Sequence, residues 1–212
     1  MLKNLSIYFV RHGETEFNQL QLFQGSSDSP LTAKGIKQAK QTGNALKNID
    51  FNFAYSSPQK RAVDTANYII ANRNINLDFH DGLREISFGN WEQKFVPDYY
   101  SNEDFINFEQ NAQKYSTLDN KGESFKELLD RSTCVIRDIV DQHYHGNILV
   151  VSHGSLLRQL IYVITGGAWQ DHLEKTTILG NSSISIVNYQ QTDFDVSGIF
   201  SIEVLNQIDH LN

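Results

Sequence analysis

The chain has 212 residues, 40% of them hydrophobic and 20% charged, with a formal net charge of −7. That length fits one domain with a large core, and the ordinary composition excludes a fibrous or low-complexity protein. The acidic balance argues against nucleic acid and anionic membrane surfaces as partners, no apolar run approaches membrane-spanning length, and the one cysteine excludes an internal disulfide.

Met1-Leu2-Lys3-Asn4 leads straight into an apolar strand, without the apolar stretch and cleavage site of a signal peptide, so the expected location is the cytoplasm. That strand, Ile7 to Val10, runs into Arg11-His12-Gly13-Glu14-Thr15. Thr32 is placed to cap a helix with an apolar face of Ile36, Ala39, Gly43 and Leu46. Asn52 to Ser56 reads as a second strand, after which Ser57-Pro58 starts a helix with proline in the first position, Arg61 in its first turn, and Ala62, Ala66, Ile69 and Ile70 facing the sheet. Phe105, Phe108, Ala112 and Tyr115 make an aromatic helical stripe. A longer stripe from Phe125 to Val140 predicts a packed helix, with Cys134 read as a small buried hydrophobe within it.

Ile148 to Val151 is a further apolar strand, and it ends in Ser152-His153-Gly154. A helix carrying Leu156, Leu157, Leu160, Ile161 and Ile164 follows, closed by Gly166-Gly167. Ser183 to Asn188 and Ile199 to Leu205 alternate like strands and are expected to pair antiparallel at a sheet edge. Strands alternating with helices imply an α/β fold: a three-layer α/β/α sandwich whose central sheet is mostly parallel with an antiparallel edge strand. No repeat or linker divides residues 1–212, so a single domain is expected, with a variable cap segment at about 86–121.

Two strands thus end in a His-Gly pair. Ligands of such sheets bind beyond the carboxyl ends of the strands, where side chains far apart in sequence converge. An arginine beside the first histidine suits a phosphate ester, because a planar guanidinium matches phosphate oxygens and a neutral imidazole is a nucleophile. The remaining histidines, His80, His143, His145, His172 and His210, read as surface or structural. His143 and His145 lack the spacing and neighbours of a metal site.

These residues resemble the histidine phosphatase superfamily, with the phosphoglycerate mutase-like fold. The motifs run in family order over most of residues 5 to 190. They begin with Arg11-His12-Gly13-Glu14-Thr15 and Asn18, Phe23-Gln24-Gly25, and Asp28-Ser29-Pro30-Leu31-Thr32 with Gly35. Ser56-Ser57-Pro58 with Arg61-Ala62 and Thr65-Ala66 come next, then Leu83-Arg84-Glu85-Ile86 with Phe88-Gly89 and Trp91-Glu92. Gly122-Glu123-Ser124 and Ser152-His153-Gly154 complete the set.

The resemblance implies that His12 is the nucleophile, forming a phosphohistidine. It also implies that Arg11, Arg61 and His153 surround the phosphoryl oxygens with Asn18, Gln24, Gly154 and backbone amides near Gln24 and Gly25. Glu85 would protonate the leaving oxygen, a dianionic ester beside it favouring the protonated form. Arg84 and Glu123 would position neighbours. No metal or other cofactor is called for, and the expected partner is a small phosphorylated metabolite.

Within the family, the bisphosphoglycerate-dependent mutases carry Gly-Trp after the first loop, a long basic insertion after the catalytic Glu, and His-Gly-Asn at the second histidine. Here the counterparts are Gln24-Gly25-Ser26, the short segment 86–121 and His153-Gly154-Ser155. That segment has Lys94, Lys114 and Lys121, six carboxylates and no arginine, a poor provision for a second anionic group. These departures favour a phosphomonoesterase resembling the broad-specificity and α-ribazole phosphatases, with Tyr99, Tyr100, Phe105 and Phe108 as an apolar wall. The alternatives are a phosphoglycerate mutase, a non-catalytic protein that binds a phosphorylated partner, and a metal hydrolase using His12 and His153 as ligands. An intact acid at Glu85 speaks against the binding protein, which has no use for one.

Overall fold

The computed structural model describes residues 2–192 and 197–212. In chain order the elements are β1 (Lys3–Arg11), α1 (Glu16–Gln19), α2 (Ala33–Ala45), β2 (Phe51–Ser56), α3 (Lys60–Ile70) and β3 (Leu77–Phe79). They continue with α4 (Glu103–Gln110), α5 (Phe125–Gln142), β4 (His145–Ser152), α6 (Gly154–Ile164), α7 (His172–Lys175), β5 (Ile184–Gln191) and β6 (Ile199–Gln207).

The six strands form one sheet in the order β3-β2-β4-β1-β5-β6. The first four are mutually parallel, while β5 runs antiparallel to β1 and β6 antiparallel to β5. The sandwich is as expected, with β5 and β6 forming the antiparallel pair at one edge of a mostly parallel sheet.

Alternation along β1 divides the core, as the two-residue period of a strand requires. Leu5, Ile7 and Phe9 pack under α5 and α6, whereas Tyr8 and Val10 pack on the opposite face with Ala62, Ala66, Ile69 and Ile70 of α3. Ile148 and Val150 of β4 join the first cluster, Leu149 and Val151 the second. Continuous apolar runs in β1 and β4 therefore reflect strands covered on both sides. Thr32 caps α2 by accepting from the Gly35 N–H at 3.0 Å, and Ser124 and Glu127 form a capping box on α5.

Three expectations change. Cys134 lies on the exposed face of α5, because helical periodicity turns it away while Val135 and Ile136 go inward. The helix after β2 begins at Lys60 rather than Pro58: Gln59 is extended, and its side chain bonds to two other loops instead of continuing a helix. The stripe from Phe105 to Tyr115 is helical only to Gln110, beyond which Ala112 and Tyr115 reach the same core from a turn. The segment between β3 and α5 packs through clustered rings. Phe23 lies 5.0 Å from Phe88, 5.2 Å from Tyr99 and 5.4 Å from Phe105, centroid to centroid.

Candidate active site

The register of β1 against β4 creates the site. Val10 pairs with Val151 and Arg11 with Ser152 in parallel, so the next residue of each strand, His12 and His153, lies side by side. Their ring centroids are 5.2 Å apart. β2 ends beside β4, and its following residue, Ser57, hydrogen-bonds His153 Nε2 at 2.7 Å. Three adjacent strands thus deliver their carboxyl ends to one spot, where ligands of parallel sheets bind.

His12 is 3% exposed, and its Nδ1 lies 2.8 Å from the Gly13 carbonyl oxygen. A carbonyl only accepts, so Nδ1 carries the proton and Nε2 keeps the lone pair of the neutral ring. Burial holds His12 well below the usual histidine value of 6.5, with Arg61 and then Arg11 acting in the same direction. His153 is lowered likewise, by burial first and then by Arg61 and His12. A histidine that is neutral when folded and protonatable when unfolded stabilises fully above pH 6.5, and that contribution is lost as pH falls below it. The free energy of unfolding in urea should therefore decline from pH 7 to pH 5, by up to about 2 kcal/mol in all for each such histidine. His172, lowered to about 4 by burial, adds to the same slope. A flat profile over that window would contradict this reading.

Arg61 is fully buried at the start of α3. One Nη donates to the Ser27 carbonyl and to Asp28 Oδ1 at 3.0 Å, the other to the Gly25 carbonyl at 2.9 Å. Arg11 donates through Nη1 to the Leu179 carbonyl, and Gly154, having no side chain, lets its guanidinium lie over the start of α6, where a Cβ would come 3.1 Å from Nε. Arg11 Nε, Arg61 Nε and His153 Nδ1 are all buried with no hydrogen-bond partner among the described residues. Buried nitrogens are seldom left unpaired, and three of them around one imidazole fit the oxygens of a tetrahedral anion.

Glu85 is 8% exposed, and its carboxylate lies at the amino end of α6. Oε1 accepts from the Ile86 and Leu156 N–H groups at 2.9 and 3.0 Å, and Oε2 from Ser155 at 3.0 Å. Behind it, Arg131 donates to the Glu85 carbonyl and pairs with Glu123 at 2.6 Å, so Glu123 positions the Glu85 loop. Gln59 joins the Gly25 and Glu85 loops, accepting from the Glu85 N–H at 2.9 Å and donating to the Gly25 carbonyl. Sequence reasoning assigned no role to Gln59, Ser57 or Arg131. Gln59 and Ser57 lie within the stretch from Ser56 to Arg61, the one signal that could have raised them, and Arg131 gave none.

Asn18 and Gln24 both line the cavity with Arg11, Glu85 and Gly154. Asn18 Oδ1 accepts from Thr15 and Asn181, while the Gln24 amide bonds Thr15 and Ser29, which fixes its orientation. The expectation for the Gly25 backbone amide does not hold. Its N–H donates to Glu92 Oε2 at 3.1 Å, and the Ser26 and Ser27 N–H groups bond the same carboxylate. Gly25 is needed for a different reason: a Cβ there would come 2.1 Å from the Ile86 carbonyl oxygen, so only glycine lets the two loops touch. Of the other histidines, His143 stacks on Phe53 and bonds the Tyr55 hydroxyl, whereas His172 is buried in the cavity wall. Among the described residues no helix is long and apolar enough to cross a membrane.

Paired imidazoles, two buried guanidinium groups and a carboxyl at the strand ends define an α/β enzyme that handles phosphate. The chain belongs to the histidine phosphatase superfamily, branch 1, whose sequence profile matches residues 7–201. It is 35% identical to the Escherichia coli (strain K12 / DH10B) protein named "Probable phosphoglycerate mutase GpmB", over 98% of this chain and 95% of that one. Among solved structures it is similar to Bacillus stearothermophilus YhfR, at 30% identity and a TM-score of 0.88, covering 98% of this chain and all (100%) of that one. The α-ribazole phosphatase of Shigella flexneri superposes with a TM-score of 0.80 at 26% identity, over 95% of this chain and 96% of that one. Relatives of this chain thus carry both mutase and phosphatase names.

Proposed function

We propose that the protein is a metal-independent phosphomonoesterase acting through a phosphohistidine on His12. The observation that carries this reading is the set of buried, unpartnered nitrogens, Arg11 Nε, Arg61 Nε and His153 Nδ1, gathered around an imidazole whose Nε2 lone pair is free to attack. In the first step Nε2 forms a bond to phosphorus as the ester P–O bond breaks. The electron pair leaves on the alcohol oxygen, which takes a proton from Glu85. In the second, a water oxygen bonds phosphorus, its proton passes to the Glu85 carboxylate, and the P–N electrons return to His12. Two easier displacements replace one hard one, with the guanidinium groups neutralising the equatorial oxygens throughout.

Hydrolysis rather than isomerisation is supported by what surrounds the leaving group. The cavity beyond Glu85, about 200 Å³, has Phe23, Phe88, Phe105, Phe108 and Phe125 in its wall, the cap segment brings no arginine to it, and the one cation there outside the motifs among the described residues, Arg158, is opposed by Glu109. Phosphoglycerate, small and doubly anionic, gains little from such walls. The test is a panel of phosphate esters scored for free phosphate and for isomerised product. Release of phosphate from several esters with no interconversion of phosphoglycerates is expected; efficient interconversion would establish the mutase alternative.

A further inference from the structure

The far wall of that cavity contains His172, 1% exposed, on a ledge formed by α7. Its Nδ1 lies 2.7 Å from the Trp169 carbonyl oxygen. Because a carbonyl cannot donate, Nδ1 holds the proton and Nε2 is an acceptor. Nε2 has no hydrogen-bond partner among the described residues, and the cavity lining it belongs to includes Phe105, Phe108 and Phe125 together with Arg158 and Glu109. The ring is held edge-on to Phe125 with centroids 4.7 Å apart. Burial lowers its pKa to about 4, so the acceptor persists at neutral pH.

Neighbouring groups fix this arrangement rather than compete for it. Arg158 donates through Nε to Thr176 Oγ1 at 2.8 Å and through Nη2 to the Leu173 and Thr176 carbonyls, and Thr176 donates in turn to the His172 carbonyl. Most of the Arg158 fork is therefore spent on holding α7. Glu109, at the cavity rim, adds a second acceptor, and its charge opposes a carboxylate entering beside Arg158. An acceptor at the surface of a partly apolar cavity is poorly served by water, and a ligand that donates to it gains a hydrogen bond there.

We propose that His172 determines specificity, its Nε2 accepting a hydrogen bond from a hydroxyl or N–H group at the far end of the leaving group. The substrates are then phosphomonoesters of alcohols with an apolar body and a distal donor. This rests on the phosphatase reading above and names the substrate class for the same site.

The experiment uses three ladders of alkyl phosphates of increasing length, ending in a methyl, a hydroxyl or a carboxylate, assayed for free phosphate. Wild-type protein should favour the hydroxyl-ended ester over its methyl-ended counterpart by roughly tenfold in kcat/KM at the length that spans the cavity, and disfavour the carboxylate. In His172→Phe, which keeps a ring against Phe125, that ratio should fall to one or below, chiefly through KM. No hydroxyl preference at any length, a preference that survives His172→Phe, or a preference for the carboxylate would each overturn the assignment. The wild-type ladders need no variant, so the test stands even where His172→Phe does not fold. If no ester releases phosphate, the phosphatase reading falls and this one with it; if all three ladders are hydrolysed alike, only the role of His172 falls.

Discussion

His12→Ala is expected to lower phosphate release from any monoester by roughly 10⁴-fold or more, the scale on which removing a covalent nucleophile acts. The ring borders His153 and buried polar nitrogens rather than the aliphatic core, so its loss should leave the circular dichroism spectrum and cooperative melting intact. Rapid acid-free quenching of wild type with a labelled ester should trap protein-bound phosphate that is stable to base and lost in acid. The alanine variant should trap none. Turnover in His12→Ala near the wild-type rate would end the covalent mechanism.

Glu85→Gln should separate proton donation from binding, because the need for an acid depends on the leaving group. Esters of alkyl alcohols depart as poor leaving groups unless protonated, and should slow by about 100-fold or more. The phenolate of p-nitrophenyl phosphate leaves with little protonation, so the rate of phosphoenzyme formation from it should suffer far less. The structure adds a structural cost common to both substrates. Glutamine can keep the two N–H bonds made to Oε1, but its NH2 would face the Ser155 N–H in place of an accepting oxygen. An unpaired donor there costs about 1–3 kcal/mol in stability, visible as a lower Tm. Equal slowing of both esters would make Glu85 a positioning residue, with His153 the next candidate for the acid.

Much of the fold was legible in the chain because strands covered on both faces must be apolar throughout and packed helices must repeat every three to four residues. Ile7 to Val10, Ile148 to Val151 and the stripe from Phe125 to Val140 all announce themselves in this way. The helix end at Gly166-Gly167 was equally readable: α6 closes at Ile164 and Gly166 takes a positive φ of 102°. Local signals failed where tertiary bonds override them. Gln59 is drawn out of a helix by Gly25 and Glu85, and Cys134 sits in an apolar stretch yet faces outward because the helix turns it there.

The sequence by itself singled out the side chains proposed to do chemistry, since His12, His153, Arg11, Arg61 and Glu85 sit in motifs that end strands or open helices. It could not determine their states or their partners. Only the parallel register of β1 and β4 brings the two imidazoles to 5.2 Å, and only the Gly13 carbonyl decides which nitrogen of His12 holds the lone pair. Glu92 intercepting the backbone amides of Gly25, Ser26 and Ser27, and His172 entering the cavity from the short helix α7, are likewise products of packing. Periodicity is a property of neighbours along the chain. Hydrogen-bond direction and burial belong to groups that meet only when the chain has folded.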